Sequence, residues 1–192
     1  MKLGILVSGR GSNMEAVIRA SQTGEITAQV VLVVSDNPNA PALQKALSAT
    51  IPTKIICREK GEAKASFENK IADAFKKAGV ELIVLAGFMR ILSPEFLSQF
   101  KNRVINIHPS LLPAFPGLDA QKQALEAGAK VSGCTVHWVD AGCDTGPILL
   151  QKEVAVLPGD TVEALSARIL EEEHRLLPKA IDCLAKKSLK FP

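Results

Sequence analysis

Residues 106–113 read NIHPSLLP and directly follow the apolar pair Val104-Ile105. An apolar strand therefore ends here, and Pro109 and Pro113 exclude a helix just behind it. Asn106 and His108 are two apart, which on a strand puts them on one face. One is an amide donor; the other carries a proton that it can give up near neutral pH. Such a pair suits a developing oxyanion. The competing interpretation is a structural histidine that caps nearby backbone.

A second stretch, SGRGSN at 8–13, lies between an apolar run and an amphipathic one. Gly9 and Gly11 let backbone N–H groups turn toward a ligand, and a helix beginning at Ser12 adds unpaired donors and a positive dipole. Ser12 and Asn13 bring side-chain donors. The loop suits a single phosphate, but a plain tight turn would use the same glycines. A dinucleotide site is a third possibility: Gly9 and Gly11 match the start of GxGxxG, and Asp36 ends the second strand. Met14 occupies the third glycine position and obstructs that fit.

A third stretch, VDAGCDTGP at 139–147, places Asp140 and Asp144 in a glycine-rich loop beside Cys143. Acids in such loops commonly serve turn chemistry. Over the carboxyl ends of strands 81–87 and 104–108, Asp144 would instead hold His108 in its charged form. Cys143 has no evident partner and is taken as a bystander. His137 is taken as structural.

These residues need a frame. LGILVS, QVVLVVSD (29–36), TKIICR, ELIVLAG (81–87) and VINIH are apolar strand-like runs. Between them the patterns predict helices over 12–22, 41–49, 62–78 and 93–100. Continuous apolar strands alternating with helices indicate a parallel sheet covered on both faces. After residue 119 the order changes. A short helix precedes 133–139 and 146–156, and the connection between these two is too short for a parallel crossover, so they should pair antiparallel. A long helix follows over 161–186, capped by Asp160 or Thr161 and interrupted at Pro178. The expectation is one α/β domain over 1–192, with a mostly parallel mixed sheet and a late antiparallel strand.

Bulk properties narrow the function. A net charge of +3 with no dense basic stripe does not support nucleic-acid binding. No run approaches the roughly 20 apolar residues of a membrane span. The N-terminal apolar run is short and ends in Gly and Arg, so it is expected to be a strand and not a targeting segment. Cys57, Cys134, Cys143 and Cys183 form no CxxC and no zinc-type cluster, which points to free thiols and a cytoplasmic address. Small-molecule substrates and no metal are expected; oligomeric state is not legible.

SGRGSN, LAGFMRILSP, NIHPSLLP with PG at 116–117, and the late D-x-G at 144–146 together resemble the glycinamide ribonucleotide formyltransferase family. The resemblance spans nearly the whole chain. It implies a Rossmann-like formyltransferase fold and 10-formyltetrahydrofolate as formyl donor. It implies a catalytic trio of Asn106, His108 and Asp144, and a ribonucleotide site built from Gly11, Ser12, Asn13 and Glu173. Met89, Arg90, Ile91 and Leu92 would line the folate pocket, with Leu85, Leu97 and Val139 as further wall. Asn106, Asp140 and Asp144 would border it, loop 140–144 would close over the pterin, and Lys64 falls near the folate tail. Many relatives carry histidines where this chain has Asp119 and Gln121, so catalysis should not need a histidine there. NIHPSLLP alone also fits methionyl-tRNA formyltransferase and formyltetrahydrofolate deformylase, whose additional domains are not expected in these 192 residues. A non-enzymatic nucleotide-binding α/β protein is the reading from a different class.

Overall fold

The apolar runs become strands and the amphipathic stretches helices in the computed structural model, which describes residues 1–188; the last four residues of the domain expected over 1–192 lie outside the described residues. In chain order the elements are β1 (Lys2–Val7), α1 (Ser12–Gln22), β2 (Gln29–Ser35), α2 (Pro41–Ser48), β3 (Thr53–Ile55), α3 (Lys64–Lys77) and β4 (Leu82–Leu85). Then come α4 (Pro94–Gln99), β5 (Val104–His108), α5 (Ala120–Glu126), β6 (Val131–Trp138), β7 (Ile148–Ala155) and α6 (Val162–Ala185). The strands form one sheet in the order β3-β2-β1-β4-β5-β6-β7. β1 to β5 run parallel, and β6 runs antiparallel to both β5 and β7. The antiparallel pairing expected for the last two runs is present, and β6 is the strand that reverses.

Strand alternation splits the buried side chains between two faces. Leu82, Val84, Ile105, Ile107, Cys134, Val136 and Trp138 pack with α1, α2 and α6. Ile83, Leu85 and Val104 pack on the other side with Phe67, Ile71 and Phe75 of α3 and Phe96 of α4. Val104, Asn106 and His108 therefore share the α3/α4 face. Helix cover reaches Val104 and stops, and loops take over above Asn106 and His108.

Helix ends follow local chemistry. Ser93 caps α4 by accepting from Phe96 N–H at 3.1 Å, with Pro94 in the first turn. Thr161 caps α6 through Ala164 N–H at 3.2 Å. The expected interruption at Pro178 does not occur: α6 runs unbroken from Val162 to Ala185 with Pro178 inside it. A proline in a helix interior costs about 3 kcal/mol. Leu176, Leu177, Ala180, Ile181 and Leu184 are all buried around it, and burial of a large apolar side chain returns roughly 1.5–3 kcal/mol each. Packing outweighs the local rule. Among the described residues, no helix is long and apolar enough to cross a membrane.

Candidate active site

The register of β5 and β6 sets Asn106 directly opposite His137 and His108 opposite Thr135. Partners across a ladder point to the same face, so four polar side chains gather beyond the edge of helix cover. Thr135 is committed to structure. Its hydroxyl donates to the Ser110 carbonyl at 2.6 Å and accepts from Leu112 N–H at 3.1 Å. Gln151 of β7 adds bonds to Thr135 Oγ1 at 2.9 Å and to the Leu112 carbonyl at 2.8 Å. The proline-flanked stretch after His108 is thereby pinned to β6 and β7.

His108 is buried, with Nε2 2.9 Å from the Phe115 carbonyl oxygen and Nδ1 3.2 Å from Asp144 Oδ2. Both neighbours are acceptors, an arrangement met in full when each ring nitrogen carries a hydrogen. Asp144 enters from the 139–147 loop with its backbone in the left-handed region, φ 56°. Its Oδ2 also accepts from Gly117 N–H at 2.9 Å, and its Oδ1 lies 3.5 Å from both Asn106 Nδ2 and His137 Nε2. Burial works against ionisation of Asp144. A hydrogen bond from His137, the Gly117 N–H and the charges of His108 and His137 outweigh it and bring the carboxyl down to about 2.

His137 makes a choice within this cluster. Its Nδ1 lies 2.8 Å from the Trp138 carbonyl oxygen, which fixes a hydrogen there. Its Nε2 can accept from Asn106 Nδ2 at 3.2 Å or donate to Asp144 at 3.5 Å, but not both. If the ring accepts from Asn106, His108 and the Gly117 N–H hold Asp144; if it donates to Asp144, it joins them.

At the same edge of the sheet, Gly11 opens α1 with φ 70°. Glu15 N–H bonds to the Gly11 carbonyl at 2.9 Å, so the helix starts at once. Asn13 Nδ2 reaches across to Glu173 Oε2 of α6 at 2.8 Å, while Asn13 Oδ1 is buried without a partner among the described residues. Glu173 is buried, which raises its carboxyl to about 7 against the smaller opposing effect of the Asn13 bond. With a folded value raised above the ordinary 4.5, Glu173 contributes stability present below pH 4.5 and lost as pH rises through about 7. Glu173→Gln is expected to raise Tm over the parent at pH 8 and to match it at pH 4; equal melting at both would remove the burial penalty.

The dinucleotide alternative loses its acid. Asp36 Oδ2 accepts from Arg90 Nε at 2.5 Å, and Met14 is fully buried in the first core. A side chain at Gly11 would collide with α2: an added Cβ comes within 2.5 Å of Ala42 Cβ. A non-glycine residue with this backbone also costs roughly 1–2 kcal/mol. Gly11→Val should therefore lower Tm, and an unchanged Tm would contradict this placement.

A family model described as formyl transferase matches residues 1–181. The chain belongs to that family. It is 43% identical over 180 residues to phosphoribosylglycinamide formyltransferase of Bacillus subtilis (strain 168), covering 94% of this chain and 92% of that protein. It is 46% identical over 185 residues to the trifunctional purine biosynthetic protein adenosine-3 of Drosophila melanogaster. That match covers 95% of this chain but only 14% of the Drosophila protein's length. Among solved structures, glycinamide ribonucleotide transformylase 1 from Symbiobacterium toebii superposes with TM-score 0.97 at 46% identity, covering 100% of this chain and 91% of that one.

The remaining expected site residues differ in exposure and in partners. Met89 and Ile91 are 69% and 60% exposed on the connection after β4. Leu85 and Leu92 are buried behind them, and Leu97 and Val139 pack on the same core from partly buried positions. Arg90 is turned to Asp36 and stands 5.4 Å over the Phe67 ring. Lys64 Nζ lies 3.8 Å from Glu68 Oε1. Asp140 shapes its own loop, accepting from Gly142 N–H at 3.0 Å and Thr145 Oγ1 at 2.8 Å. Cys143 is exposed, and partial desolvation of its sulfur followed by the Asp144 charge pushes its thiol up, away from the nucleophilic thiolate. Asp119 caps α5 by position, with a left-handed backbone.

His137 is the cluster member that sequence reading set aside. The available signal was the alternation of CTVHW, which puts Thr135 and His137 on the face opposite Cys134, Val136 and Trp138. Among the described residues, no group of three or more His, Cys, Asp or Glu side chains is arranged to hold a metal.

Proposed function

We propose that the protein transfers the formyl group of 10-formyltetrahydrofolate to the amine of 5'-phosphoribosylglycinamide. The observation that carries this reading is Asp144, which meets both Asn106 and His108 on one sheet face. The names of the full-length relatives support the acceptor.

β1 and β5 are parallel to β4 on either side. The 8–13 loop and His108 therefore leave the sheet at one edge, where open α/β folds bind ligands. The backbone of Gly11, Ser12 and Asn13 would hold the acceptor's phosphate, and Glu173 would accept from its ribose hydroxyls. Met89 to Leu92, with Leu85, Leu97 and Val139, would wall the donor, and the loop through Asp140 would cover it. The acceptor amine attacks the formyl carbon, and the carbonyl oxygen becomes an oxyanion. The Asn106 amide would donate to that oxygen, and a charged His108, its ring nitrogens engaged by the Phe115 carbonyl and Asp144, would act through its field; the Asn106 hydrogen now aimed at Asp144 over 3.5 Å is the one weak enough to be exchanged. As the carbon–N10 bond breaks, one proton from the attacking amine ends on N10, through His108 or a water. Juxtaposing two bound substrates supplies much of the remaining rate.

The test is direct formyl transfer with three acceptors: the ribonucleotide, water and charged initiator tRNA. Turnover confined to the ribonucleotide is expected. Release of free formate without it would make the protein a hydrolase, and formylation of the tRNA would reassign the acceptor.

A further inference from the structure

Glu68 is 3% exposed on α3, among Phe67, Ile71 and Phe75. A carboxylate buried there needs partners. Ser93 N–H donates to Oε1 at 3.0 Å and the Ser93 hydroxyl donates to Oε2. Lys64 Nζ stands 3.8 Å from Oε1. Ser93 in turn caps α4, so Glu68 holds the end of the connection that leads from β4 into that helix. The other end is held from β1: Ser8 N–H donates to the Gly87 carbonyl at 3.0 Å, and Met89 N–H donates to Ser8 Oγ at 3.0 Å. Met89 and Ile91 between these anchors are largely exposed and gain little from core packing. The anchors at Ser8 and Ser93 therefore fix the two ends of the outer arc, alongside Phe88 and Leu92 in the core and the Arg90–Asp36 bond.

We propose that Glu68 is a positioning residue for the formyl donor: it fixes the 88–93 connection whose outer face forms the donor wall. This rests on the donor reading of Met89 to Leu92 above. Glu68→Ala removes the anchor. Glu68→Gln keeps the shape, with an oxygen for Ser93 N–H and an amide for the Ser93 hydroxyl, and is the variant expected to fold without difficulty. In the substrate-free protein, hydrogen exchange at Met89–Ser93 should speed up about tenfold or more in Glu68→Ala, with a smaller rise in Glu68→Gln. In assay, the donor KM should rise about tenfold in Glu68→Ala and recover toward the parent value in Glu68→Gln. The acceptor KM should stay within about twofold in both. A purely structural carboxylate would lower the active fraction and leave both KM values alone, and that result would overturn the proposal. So would unchanged exchange. Parent protein that transfers no formyl group would instead overturn the donor reading, while exchange still reports the anchor.

Discussion

Replacing Asp144 by Asn should lower formyl transfer near neutral pH by about 10²–10⁴-fold, the range typical of lost acid–base function, in a protein that still folds. The carboxyl titrates at about 2 and is ionised wherever the protein works. Its charge is spent on His108 Nδ1, 3.2 Å away, and on Gly117 N–H. An asparagine keeps an oxygen for Gly117 but removes the charge that faces His108 Nδ1. It also brings an amide into a cluster already rich in donors. The acid limb offers an independent readout. With its folded value below the ordinary 3.8, Asp144 contributes stability present above that value and lost as pH falls toward 2. The Asn variant should therefore unfold less steeply with acid between pH 4 and 2. Transfer within tenfold of the parent would take Asp144 out of the chemistry, and an unchanged acid limb would mean its ionisation is not coupled to the fold.

Asn106→Ala should cost about 10²–10³ in kcat, as loss of a single oxyanion donor does. Because this contact strengthens as charge develops, kcat and kcat/KM should fall together and both KM values should stay near the parent's. The substitution also releases His137 Nε2 from the 3.2 Å bond and leaves it free to donate to Asp144. Part of the loss would then come from a carboxylate turned away from His108. An Asn106→Ala/His137→Ala double variant separates the two effects: additive losses would mean that His137 does not act through Asn106. Near-normal turnover of the single variant would remove Asn106 from the mechanism.

β1, β2, β4 and β5 were legible because each is a largely continuous apolar run, and the Asn106–His108 pair because a period of two needs no tertiary knowledge. The convergence of Asp144 was readable only as a possibility. Its loop bends back onto the face of β5 through contacts with Gly117 and His108, 27 and 36 residues away in sequence. The place of His137 beside Asn106 was not readable for a related reason. Its own strand was evident, but its position opposite Asn106 depends on a β5–β6 register that no local pattern encodes. Pro178 misled because local propensity was read without the packing that overrides it. The Arg90–Asp36 and Glu68–Ser93 bonds join residues 54 and 25 apart. A lone acid in an amphipathic helix carries no sign of such a partner.

The β5–β6 register holds more than the reacting groups. Sliding one strand by one residue would turn Asn106 and His108 toward α6 and push Ile105 and Ile107 out of the apolar core. The proposed site and core burial thus depend on one ladder, and a slip in its register would lose both together. Trp138, the only tryptophan and a direct partner of Ile105 in that ladder, is placed to report by its fluorescence the pairing of these two strands.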